Sequence, residues 1–154
     1  MLVFKNIEEI KPYYNAETNT YEFKENDRML DISIEFDLDI EESIHARNIV
    51  ATTTTIKVGD MTAERDIIKG NTILSDITAA NITARDIIDI NYISAEKDIN
   101  ARNINVYDIY AENITTSNIN ALYIHVAKIT AENINAENIN AENINAENIN
   151  GESK

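Results

Sequence analysis

The sequence predicts an all-β fold: a solenoid that turns a corner every five residues, preceded by a small β cap. Three observations predict it. Isoleucine recurs at a stride of five between residues 99 and 149, the residue two places after each isoleucine is small, and Trp is absent from the 154 residues while Phe occurs three times. A core drawn so heavily from one β-branched residue points to many copies of one packing site.

The regular segment carries Ile99, Ile104, Ile109, Ile114, Ile119, Ile124, Ile129, Ile134, Ile139, Ile144 and Ile149. Two places after them stand Ala101, Val106, Ala111, Thr116, Ala121, Val126, Ala131, Ala136, Ala141, Ala146 and Gly151. Just before each isoleucine stands Asn or Asp, except at Tyr123 and Lys128. Five residues on an α-helix advance about 500°, which would spread the isoleucines around the barrel. On a straight strand the same stride would send every second one to the opposite face. A corner every five residues keeps them together. Ile-x-small then forms a short edge with two inward residues, and the polar pair after it makes the corner. With only three Gly and one Pro in the chain, Asn and Asp must supply most turns.

Repeats such as Ala131-Glu132-Asn133-Ile134-Asn135 resemble the pentapeptide-repeat family. That resemblance implies a right-handed quadrilateral β-helix, with four edges closing a square of twenty residues. The family places its small residue two before the central apolar one, whereas here it falls two after. A twenty-residue coil would put Asn100, Asn120 and Asn140 in one column, and His125 between Asn105 and Asn145. It would also stack Glu112 with Glu132. Asparagines in such columns are expected to form amide ladders along the rod.

Upstream the pattern stutters. Ile77, Ile82 and Ile87 keep the stride, steps of six lead to Ile93 and Ile99, and Ile44 and Ile49 stand one step apart. The solenoid is therefore expected over 44–154, irregular over 44–98 and regular over 99–150, with about five coils at the inter-strand spacing. Residues 1–43 read as the cap. Leu30, Ile32, Ile34, Phe36, Leu38 and Ile40 alternate with polar residues, as in one half-buried strand. Tyr13-Tyr14 and Tyr21-Glu22-Phe23 flank a polar stretch, as in a hairpin. At the other end the last coil would expose an Ile/Ala face, and a homodimer through that coil is expected. Alternatively Glu132, Glu137, Glu142 and Glu147 form a charged ring that discourages growth.

Function is less legible. The chain has no Cys for disulfides or zinc, and no apolar run long enough for a membrane span or a signal peptide, so a cytoplasmic protein without cofactor or metal is expected. A net charge of −14 argues against direct nucleic-acid binding and leaves open a basic protein partner. His45 and His125 lack a neighbouring nucleophile or orienting carboxylate in any motif, and read as surface rungs. No enzyme is expected. Tyr107, Tyr110 and Tyr123, placed on adjacent sides, together with the four glutamates above, form the candidate partner-contact surface. The first function class is thus a non-enzymatic scaffold or protein-binding module. The alternative comes from the resemblance, since some pentapeptide-repeat proteins are acidic DNA mimics that bind type II topoisomerases such as gyrase.

Overall fold

The computed structural model describes residues 1–70 and 76–153; side chains are described except at 122, 127, 137, 138, 140–142 and 151–153. The chain forms a β-solenoid of about seven turns, stacked in parallel. Three columns of strands run along it. The first face carries Leu2–Phe4, Asp31–Ile34, Asn48–Ala51 and Asp66–Lys69, then 86–90, 103–106 and 118–120. On the second lie Leu38–Asp39, Thr55–Lys57 and Asp76–Ala79, then 92–95, 108–111 and 123–126. The third holds Thr20–Glu22, Ser43–Ala46, Met61–Ala63, Ile82–Thr83 and Asp98–Asn100, then 113–115 and 128–130.

The register corrects the coil size. Ile104 stacks on Ile119, Ile109 on Ile124 and Ile114 on Ile129, fifteen residues apart. Fifteen residues make three five-residue edges, so the regular segment closes with three sides instead of the expected four. Each full coil of the regular segment offers three inward isoleucines and three smaller inward residues. Earlier coils are longer. Ile49 stacks on Ile67 and Ile67 on Ile87, steps of eighteen and twenty. One extra residue is absorbed at Asp89, where φ is 58° and the ladder shifts register between Ile88 and Ile90. Seven turns at the inter-strand spacing make a rod roughly 34 Å long.

The isoleucines from Ile99 to Ile139 are buried as expected. Ile144 is half-buried and Ile149 is 48% exposed. Each fully buried isoleucine side chain contributes about 1.5–3 kcal/mol of transfer free energy, so the stacked columns dominate stability.

Stacking begins before residue 44. Residues 31–34 pair with 48–51, and 38–39 with 56–57. The single strand expected over 30–40 is thus two short strands on different faces. Asp37 bends the chain between them: its Oδ1 accepts from the hydroxyls of Thr53 and Thr54 and from the Thr55 N–H. The alternating pattern was compatible with either outcome, and these donors from the next coil decide it. The hairpin forms as expected, Tyr14–Asn15 lying antiparallel to Thr20–Glu22. A second one joins Lys24–Glu25 to Arg28–Met29 through Asn26 and Asp27, both at positive φ. Asn6 caps the short helix Ile7–Ile10 by accepting from the Glu8 N–H, and the helix buries Ile10 in the core. Phe4, Tyr13 and Phe23 meet with ring centroids 5.2–5.6 Å apart.

The outward side of the first face carries a polar ladder, with Arg85 bridging the two carboxylates Asp66 and Asp86. Asn48 donates to Asp31 (2.6 Å), the Asp66 N–H to Asn48 (3.0 Å) and Asn103 to Asp86 (2.7 Å). Asn118, Asn133 and Asn148 continue it, each donating to the asparagine fifteen residues earlier. A parallel ladder runs from Asp89 through Asn105, Asn120 and Asn135 to Asn150. Amide ladders therefore exist, at a step of fifteen where twenty was expected. Asn100 instead stacks on Thr115, and His125 on Tyr110. Glu112 follows Lys97 and Glu132 follows Ser117, so those two glutamates sit at different corners.

Beside the first ladder, the corner carries Arg47, Arg65, Arg85 and Arg102 in successive coils, each N–H bonding the carbonyl of the residue one coil earlier. Asp31, Asp66 and Asp86 answer three of them: Arg47 pairs with Asp31, Arg85 with Asp66 and Asp86, and Arg102 with Asp86. The Arg47 fork and the Asn48 amide hold Asp31 down to about 2. This depressed value makes the Asp31 contribution present above its ordinary 3.8 and lost as pH falls toward 2.

Two stability predictions follow from these contacts. Asn120→Leu breaks the amide bonds to both Asn105 and Asn135 and should cost about 1–2 kcal/mol, read as a lower melting temperature. Asp31→Ala should destabilise by about 1–2 kcal/mol at pH 7 and by much less near pH 2, measured by denaturant titration at both pH values.

Candidate protein-contact face

The second face differs from the first in its outward residues. Two files run along it. One reads Asp76, Tyr92, Asp108, Tyr123 in successive coils, and the other reads Thr78, Ser94, Tyr110, His125. The first outward position precedes each inward isoleucine and the second follows it, so both files stand on the same flat ladder. Tyr92 and Tyr110 lie 5.3 Å apart by ring centroid, and Tyr110 and His125 5.5 Å. Tyr107, at the corner leading onto this face, meets Tyr123 edge-on at 6.3 Å.

The three tyrosines expected as contact residues are thus gathered with Tyr92 and His125 into one strip, not spread over adjacent sides. They remain exposed: Tyr107 53%, Tyr110 37% and Tyr123 44%. Next to the strip, Lys69, Asp89, Asn91, Asn105 and Tyr107 line a shallow groove of about 290 Å³. Of the glutamates expected alongside, Glu132 and Glu147 are exposed at a different corner, and the side chains of Glu137 and Glu142 lie outside the described residues. Glu132 and Glu147 therefore lie apart from the tyrosines.

Asp108 sits in the strip between Tyr92 and Tyr123. Its Oδ1 is closed off from solvent and meets no hydrogen-bond donor. Desolvation pushes its carboxyl above the ordinary 3.8. The cause is visible in the file. On the other two faces Asp98 is answered by Asn113 one coil on (2.8 Å) and Asp86 by Asn103, and Asp76, which like Asp108 faces a tyrosine in the next coil, accepts from Asn91. At the coil above Asp108 the sequence places Tyr123 instead. Sequence reasoning singled out Tyr123 as an exception to the Asn/Asp rule but missed Asp108, because pairing the two needs the step of fifteen.

His45 lies in register with Glu22 and Thr62 on the third face, one rung in an ordinary ladder. Among the described residues no group of three or more His, Cys, Asp or Glu is placed to hold a metal ion. No described helix is long and apolar enough to cross a membrane. Comparison with protein-family models, with curated proteins and with solved structures gave no match.

A raised carboxyl value means that folding favours the protonated form, so the cost of Asp108 is full at pH 7 and vanishes as pH falls below the ordinary 3.8. Asp108→Asn should therefore stabilise the protein by about 1 kcal/mol at pH 7, a rise of roughly 2–4 °C in melting temperature, with no gain at pH 3.

Proposed function

We propose that the protein is a non-enzymatic scaffold that engages another protein through the aromatic strip of its second face. The observation that carries this reading is the convergence of Tyr92, Tyr107, Tyr110, Tyr123 and His125 on adjacent coils of one flat face. Tyrosines supply large contact area with little side-chain entropy to lose, and interface hot spots are rich in them. A rigid rod also presents its face already ordered, which lowers the cost of association.

Within this reading, residues before Asp31 serve as the cap that closes the first coil, with Ile10 and the Phe4, Tyr13 and Phe23 rings over its core. Kinship with the pentapeptide-repeat family rests on the five-residue stride, and a right-handed coil is carried over from that resemblance. The DNA-mimic reading draws on the net charge of −14, but the acid is interrupted at one corner of the earlier coils by Arg47, Arg65, Arg85 and Arg102. That pattern favours a local contact face over imitation of a duplex.

Replacing Tyr107, Tyr110 and Tyr123 together by Ala should abolish retention of a partner on the immobilised protein while the melting temperature changes by less than about 3 °C. A Glu132→Gln, Glu147→Gln variant should retain the same partner. Equal capture by all three proteins would refute the assignment of this face. Inhibition of gyrase supercoiling at sub-micromolar protein would instead favour the DNA-mimic reading.

A further inference from the structure

We infer that the strip around Asp108 receives an arginine side chain of the partner, stacked on the tyrosine rings with its guanidinium donating to the Asp108 carboxylate. This rests on the second face being the contact surface, and it names the chemistry that face selects.

The argument starts from a broken local rule. Asp31, Asp60, Asp76, Asp86, Asp89 and Asp98 each accept from an Asn or Arg side chain of this protein. Asp66 also has one oxygen shut away from water without a donor, but its other oxygen accepts from Arg85; among the described residues Asp108 has no side-chain donor at either oxygen. Burying an acceptor unanswered is unfavourable, and one substitution, Asn at position 123, would remove the problem. Departures of this kind in an otherwise consistent fold tend to mark functional positions.

The surroundings state what is missing. The rings of Tyr92 and Tyr123 bracket Asp108 along the file, and Tyr110 stands two residues on. Aromatic faces attract cations, and a guanidinium combines a flat surface for stacking with a fork of donors for a carboxylate. An ammonium offers neither the plane nor the fork. Oδ1 is shut away, but Asp108 is only half-buried as a residue, so a guanidinium arriving from the surface meets the carboxylate at its other oxygen. The charge balance agrees, because a protein at −14 draws basic segments toward it. Among the described residues no lysine or arginine forms an ion pair with Asp108.

The test is fluorescence anisotropy with labelled peptides of four Arg-Gly, four Lys-Gly or four Glu-Gly units at 150 mM salt. The Arg-Gly peptide should bind wild-type protein at least fivefold more tightly than the Lys-Gly peptide, and the Glu-Gly peptide should not bind. Asp108→Asn should weaken Arg-Gly binding at least tenfold, while Glu132→Gln, which removes the same charge elsewhere, should change it less than twofold. Tyr123→Asn, which restores the Asn–Asp rung, should raise the melting temperature and lose the peptide. Equal weakening by Asp108→Asn and Glu132→Gln would reduce the effect to net charge and overturn the inference. Absence of Arg-Gly binding, with partner capture still dependent on the three tyrosines, would also overturn it while leaving the contact face in place.

Discussion

Every coil of this protein must hand its backbone to the next in parallel register while keeping one isoleucine per edge pointed inward. Stacked strands satisfy their N–H and C=O groups only through the neighbouring coils, and even the corners do so: the Arg102 N–H bonds the Arg85 carbonyl and the Glu132 N–H the Ser117 carbonyl. A slip of one residue would turn the isoleucines out and the asparagines in. The isoleucine columns therefore set the register, and the outward residues inherit their neighbours from it.

That inheritance explains why the surface is organised in files. Any polar residue repeated at the coil length meets its own kind above and below. Asparagine suits such repetition, since an amide both donates and accepts, and the 103–118–133–148 file uses it throughout. Carboxylates cannot bond one another, so acidic positions need amides or guanidinium groups between them. The Arg–Asp corner supplies them in the early coils, where Arg85 reaches both Asp66 and Asp86. Exposed pairs of this kind contribute little individually, but alternation of sign prevents the repulsion that a column of four arginines would otherwise carry.

The second face departs from this pattern. Aromatic rings replace amides at Tyr92, Tyr110 and Tyr123, and the carboxylate at Asp108 loses the donor that the rule would have given it. On the proposed reading, stability and contact chemistry oppose each other at this position. The rest of the rod has enough repeated packing to carry a locally unfavourable rung, which makes a solenoid a suitable support for such a site.

The sequence by itself determined that the chain is a coil with a corner every five residues, that isoleucine lines it, and that Tyr14 and Tyr21 belong to one hairpin. These features are local: stride, alternation and turn residues act within a few positions. It could not determine how many edges close a turn, because four nearly identical repeats look the same against a step of fifteen or of twenty. The spacing of Arg47, Arg65, Arg85 and Arg102, at steps of eighteen, twenty and seventeen, was a trace of coil length in the irregular part, but it becomes readable only once the backbone pairs are known. Which side chains meet across coils, and so the placing of Asp108 between two tyrosines, was decided by the tertiary structure alone. Closure depends on filling the interior with three isoleucines per turn, a property of the stacked coil and not of any one repeat.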